Sequence, residues 1–243
     1  MAELVDELLA VAWPEGLPGR WAPLVDRELC EALLRDFKLG VIFPFGGEVR
    51  PVRLALSAQG ERERWEREVL RAWPSERLEG FLGQVPAETR LMVDSDGSER
   101  AVVYLDDLQE VEHELRAPSG MALMSATLGL PGDRLGVLTR HTEPPVERVT
   151  GSLRARLEEL VGLGAEGLWS LRWEEGRVLS VLWISESRWR GNAEASRAVL
   201  GGLGSSRAWA EALRVAERHG RLGYPDAVEL LGSGGVDVTL GIL

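Results

Sequence analysis

The chain reads as an α+β protein of about ten antiparallel strands, paired as five hairpins, with helices on one side of the sheet. Three observations predict this. Segments of alternating apolar and polar residues occur in pairs. Each pair is broken by a Gly-containing turn, and helical periodicity precedes each pair. No segment stands apart in composition, so residues 1–243 are expected to form a single domain of about five helix/hairpin units.

In chain order, "MAELVDELLAVAW" and "VDRELCEALLRDF" carry amphipathic helical patterns. The first hairpin lies near 39–57, turning at Gly46-Gly47. "GERERWEREVLRAW" and "SERLEGFLGQV" are the next helical segments, the second with Ser75 placed to cap toward Leu78. A hairpin near 88–106 turns at Ser95-Asp96-Gly97. "DDLQEVEHELR" is helical in pattern, and a hairpin near 120–142 turns at Pro131-Gly132-Asp133. "PPVERVTGSLRARLEELVGL" leads to a hairpin near 167–186 with a Glu174-Glu175-Gly176 turn. "NAEASRAVLGGL", with Asn192 as its expected cap, and "SSRAWAEALRVAERHG" precede the last hairpin near 226–243. A faint internal repeat aligns 77–107 with 156–186, matching Gly97 to Gly176 and Tyr104 to Trp183.

Composition narrows the function. With a net charge of -11 and no basic run, the chain is a poor partner for nucleic acid. No apolar run is long enough for a membrane span, and the start lacks the order of a signal peptide, so a cytoplasmic location is expected. Cys30 is the only cysteine and sits in a helical pattern, where it reads as an inert buried thiol. His113, His141 and His219 are far apart, which argues against a Cys/His zinc site. "DDLQE" (106–110) reads as the start of a helix with Asp106 as cap, in preference to a magnesium motif. No cofactor is expected; magnesium is not indicated by the sequence.

In each hairpin the apolar alternates, such as Leu54 and Leu56 or Leu91 and Val93, need cover from the neighbouring helices. The sheet can stay open, or it can close and so remove its edges. Five units of helices followed by a hairpin, with helices outside and a polar lumen, resemble the ABBA, or PT-barrel, aromatic prenyltransferases. The resemblance is architectural and spans nearly the whole chain, which is shorter than typical members and has Tyr104 and Tyr224 as its only tyrosines.

The alternates that point away from the helices are Arg53, Arg90, Arg100, Tyr104, Arg140 and Arg172, with Glu229 and Asp237 on the last hairpin. Trp183 is the one tryptophan assigned to the lumen; the others read as core. The resemblance implies transfer of a prenyl group from an allylic diphosphate to an aromatic small molecule. Arg53, Arg90, Arg100, Arg140 and Arg172 would hold the diphosphate, since guanidinium forks match phosphate oxygens. Asp237 or Glu229 would accept the ring proton, and Tyr104 and Trp183 would face the substrate. A strand arginine can equally be solvated or paired with a cross-strand acid. Two other classes compete: an acidic adaptor or chaperone with two sheets and a protein partner, and a barrel that binds a small molecule without chemistry. Pairing of the first and last strands discriminates against the adaptor.

Overall fold

The structure, a computed structural model, describes residues 2–25, 38–45, 50–58, 62–83, 90–106, 118–185, 190–204 and 206–242. Its ten strands are β1 (Lys38–Phe45), β2 (Arg53–Ala58), β3 (Arg90–Ser95), β4 (Ala101–Asp106), β5 (Ala122–Leu130), β6 (Arg134–His141), β7 (Leu168–Glu174), β8 (Arg177–Ile184), β9 (Gly223–Leu231) and β10 (Val236–Ile242). Each pairs antiparallel with its sequence neighbours, and β1 pairs with β10, so the sheet closes as a barrel. Closure leaves no free edge to template association.

Six helices are seen among the described residues: α1 (Ala2–Ala12), α2 (Arg62–Ala72), α3 (Glu76–Leu82), α4 (Gly151–Gly162), α5 (Arg190–Gly202) and α6 (Arg207–Arg218). A single 3-10 turn, Val146–Arg148, precedes α4. Ser75 caps α3 as expected, accepting from the Leu78 N–H at 3.0 Å. Asn192 is not a cap: α5 already begins at Arg190, which puts Asn192 inside its first turn. The helical expectations over 25–37 and 106–116, with Cys30 and His113, fall mainly outside the described residues, as does the Gly46-Gly47 turn. Asp106 closes β4.

The core lies between helices and sheet. Leu54, Leu56, Leu91, Val93, Leu105, Leu171, Val181, Val228 and Val238 are fully shielded there. At roughly 1.5–3 kcal/mol per such side chain, this face stabilises the barrel and sets the register of every strand. Phe43 and Phe45 of β1 meet Trp209 of α6 edge-on, both with ring centroids 5.8 Å apart. Trp21 packs edge-on against Trp73 at 5.2 Å. One turn glycine is required on two counts: Gly97 has φ +83, and a Cβ there would lie 2.2 Å from Pro18.

The internal repeat matches the elements but not their faces. Tyr104 pairs across the lumen face with Met92 and Thr127, whereas Trp183 pairs with Trp169 and Val228 on the helix side. The mismatch runs through both strands, since Leu91 on the helix side matches Ser170 on the lumen side.

Candidate functional site

The lumen face follows from the register. Burying Val236, Val238 and Leu240 against helices turns Asp237 and Thr239 inward, and Asp237 lies directly across from Glu229 on β9. The same logic on β2, β3 and β7 turns Arg53, Asp94, Ser170 and Arg172 inward. Arg53, Asp94, Arg172, Glu229 and Asp237 converge on one network near the end of the barrel that carries the hairpin turns, while Ser170 lies across from Arg140.

Arg53 is its hub. One terminal nitrogen, Nη2, reaches Glu229 Oε2 at 3.2 Å and Asp237 Oδ2 at 3.1 Å, while Nη1 reaches Asp94 Oδ2 at 3.3 Å. Arg50, just ahead of β2, donates to Asp237 Oδ1 at 2.5 Å and to the Val236 carbonyl at 2.9 Å. Ser180 Oγ donates to Glu229 Oε1 at 2.6 Å. Arg172 lies within electrostatic reach of Tyr104, Glu229 and Asp94, yet its Nε is buried with no hydrogen-bond partner among the described residues. Asp94 Oδ1 and Ser170 Oγ are buried in the same condition. Groups of this kind in a native interior call for a partner such as a bound ligand or water.

The three carboxylates differ. Burial drives Asp94 up to about 6, against the pull of Arg53. Asp237 also sits above its ordinary value, because burial outweighs Arg53 and Arg50. Burial pushes Glu229 upward too, but the charges of Arg53 and Arg172 and the hydrogen bonds from Ser180 and Arg53 together hold it below the usual range. Burial raises Tyr104 strongly, and pushes Tyr224 up to about 12 with help from Asp226. Tyr224, given no role from sequence, faces the lumen over Gly241, where a Cβ would sit 2.5 Å from the ring.

The expected arginine cluster is divided. Arg53 and Arg172 join the network. Arg90 and Arg140 hold lumen-facing register positions at the opposite end, where Arg90 is half-buried and Arg140 exposed. Arg140 lines a cleft of about 610 Å³ with Leu168, Trp183 and Ser196. Arg100 is not on the barrel wall: β4 starts at Ala101, and Arg100 stands exposed in the turn, its carbonyl accepting from Ser95 Oγ and its N–H donating to Ser98 Oγ. Trp183 is not lumenal either. It is buried on the helix side, 6.4 Å from Trp169 between ring centroids, and donates to the Glu166 carbonyl. Tyr104, Glu229 and Asp237 lie where alternation puts them. Arg50 and Ser180 were missed: Arg50 precedes its strand, and Ser180 lies beside the irregular pairing of β7 with β8.

Among the described residues, no group of three or more His, Cys, Asp or Glu is placed to hold a metal ion, and no helix is long and apolar enough to cross a membrane. No family model matches the chain, and no curated protein matches it. Among solved structures, it is similar to 5-dimethylallyltryptophan synthase from Streptomyces coelicolor, at 13% identity and a TM-score of 0.42, over 98% of this chain and 90% of that one. No residue role is carried over from that protein.

Proposed function

We propose that the barrel interior binds a small molecule and acts on it, and that the reaction it suits is transfer of a prenyl group from an allylic diphosphate to an aromatic acceptor. What carries this reading is the convergence of Arg53 and Arg172 with Asp94, Glu229 and Asp237 inside a closed barrel, where three lumenal polar atoms lack partners among the described residues. Arg172, with a free buried donor, and Arg53 would hold the diphosphate. The C–O bond to the diphosphate breaks, the arene attacks the allylic carbon, and the ring carbon then loses its proton to a carboxylate. Tyr104 and Tyr224 present aromatic faces to the cationic fragment.

Of the carboxylates, Asp94 suits the proton-accepting role best. Asp237 is held by two guanidiniums and Glu229 by Arg53 and Ser180, whereas Asp94 keeps one oxygen uncommitted and a pKa near neutrality. The test is incubation with dimethylallyl or geranyl diphosphate and a panel of phenols and indoles, read by mass spectrometry. Asp94→Asn should slow product formation by about 10²–10⁴-fold, and Asp237→Asn by less. No prenylated product from the wild type would reject the reaction.

The second reading, a barrel that binds without chemistry, rests on charge balance: Arg50, Arg53 and Arg172 face Asp94, Glu229 and Asp237, so this network is formally neutral. Diphosphate binding without product would favour it. A protein adaptor built on two separate sheets is not the observed architecture, since β1 and β10 pair.

A further inference from the structure

We propose that the lumen takes up a doubly charged oxyanion only together with a proton, and that the proton goes to Asp94. The inference rests on the anion-binding half of the reading above; in the proposed transfer the proton on Asp94 would pass to the diphosphate as its C–O bond breaks, which leaves the carboxylate able to accept the ring proton.

The groups facing Asp94 come from all sides. Arg53 is on β2, Tyr104 on β4, Arg172 on β7, Glu229 on β9 and Asp237 on β10; one step further out, Arg50 faces Asp237 and Glu174 faces Arg172. Glu174 has its own partner outside the network, Arg134, at 3.2 Å. The remaining charges cancel. A dianion added to this neutral, buried network would leave two uncompensated negative charges there, which is costly. The guanidiniums can serve the anion only if a carboxylate releases them.

The carboxylates are unequally held. Releasing Asp237 breaks contacts to both Arg50 and Arg53. Releasing Glu229 breaks contacts to Arg53 and Ser180. Among the described residues, Asp94 has a single ion-pair contact, through Oδ2 to Arg53, and its Oδ1 is buried with no hydrogen-bond partner. A proton on Asp94 therefore sacrifices least. Protonation frees Arg53 Nη1, removes a like charge and turns Asp94 into a donor to the anion. Burial already favours the neutral form of this carboxyl. The proton comes from solvent, so one proton disappears from solution for each anion bound.

The test uses sulfate, which does not itself titrate near neutrality. Calorimetric titration of the wild type at pH 7 in two buffers of unlike ionisation enthalpy should give unlike heats, corresponding to uptake of close to one proton per sulfate. The affinity should fall about tenfold per pH unit above pH 7, the slope of a single linked proton. Asp94→Asn should abolish the buffer dependence and bind sulfate more tightly than the wild type at pH 7.5, by about tenfold or more. Arg172→Gln should weaken binding in both backgrounds. Absence of sulfate binding by the wild type, or equal heats in the two buffers, would overturn the proposal. So would proton uptake that persists in Asp94→Asn. Should that variant fail to fold, the wild-type buffer comparison decides alone. Proton-linked sulfate binding without prenylated product would leave this inference standing and remove the proposed reaction.

Discussion

On the helix side of the barrel, Leu54, Leu56, Leu91 and Val93 are fully buried in an apolar layer. One residue away on the same strands, Arg53 and Asp94 face the lumen and form an ion pair at 3.3 Å. Both faces are shielded from bulk water, but by different means. The outer face is covered by helices and gains free energy from every side chain it buries. The inner face is enclosed by closure of the sheet, and it holds charges whose dehydration only their mutual contacts offset. Stability resides on one face and the capacity for chemistry on the other, so substitutions on the two should differ in pH dependence as well as in size.

The largest expected effect is at the hub. Arg53→Met leaves Asp94, Glu229 and Asp237 facing one another with Arg53 removed, and should cost about 3–5 kcal/mol at pH 7.5. Chemical denaturation at pH 7.5 and pH 5 checks this: the loss should shrink at the lower pH, where the acids protonate. A loss of equal size at both values would mean that Arg53 acts by packing alone.

Asp94 sharpens the comparison. Its folded pKa of about 6 lies above the ordinary value of 3.8, so the folded state binds the proton more tightly than the unfolded chain. This group's contribution is therefore most favourable below about pH 4 and is lost as pH rises through 6. From the size of the shift, the difference is on the order of 3 kcal/mol. The stability of Asp94→Asn relative to wild type should improve by that order between pH 4 and pH 7.

On the outer face, Phe43→Leu removes the edge-on contact with Trp209 and should cost about 1–1.5 kcal/mol, with no dependence on pH between 5 and 8. Thermal unfolding at several pH values reads this directly; a pH-dependent loss would blur the distinction between the faces. The smallest effect is expected at Arg100, exposed in its turn: Arg100→Ala should stay within about 0.5 kcal/mol in stability and leave sulfate binding unchanged.

Much of this arrangement is legible in the sequence. Gly-containing turns between alternating segments locate all five hairpins, and alternation turns Arg53, Tyr104, Arg172, Glu229 and Asp237 inward. Arg100 lies one residue outside β4, in a turn where serine hydroxyls, not a neighbouring strand, bond the backbone. Trp183, expected in the lumen, pairs with Trp169 and Val228 on the helix side, because the irregular pairing between Arg172 and Trp173 shifts the alternation along β8. Arg90 and Arg140 have the expected parity but stand at the far end from Arg53. Parity says which face a residue takes and nothing of its height along the barrel.

The sequence by itself determined the strand pairs, their turns and the face each lumenal residue takes, because period-two burial is a local rule that a one-residue slip would violate along the whole strand. Only the tertiary structure decided that the sheet closes, that Arg53 gathers acids from β3, β9 and β10, and that Asp94 is the carboxylate left with a free oxygen. Closure depends on the pairing of β1 with β10, which are far apart in the chain, and the state of a buried carboxylate depends on charges carried by strands that are not its neighbours.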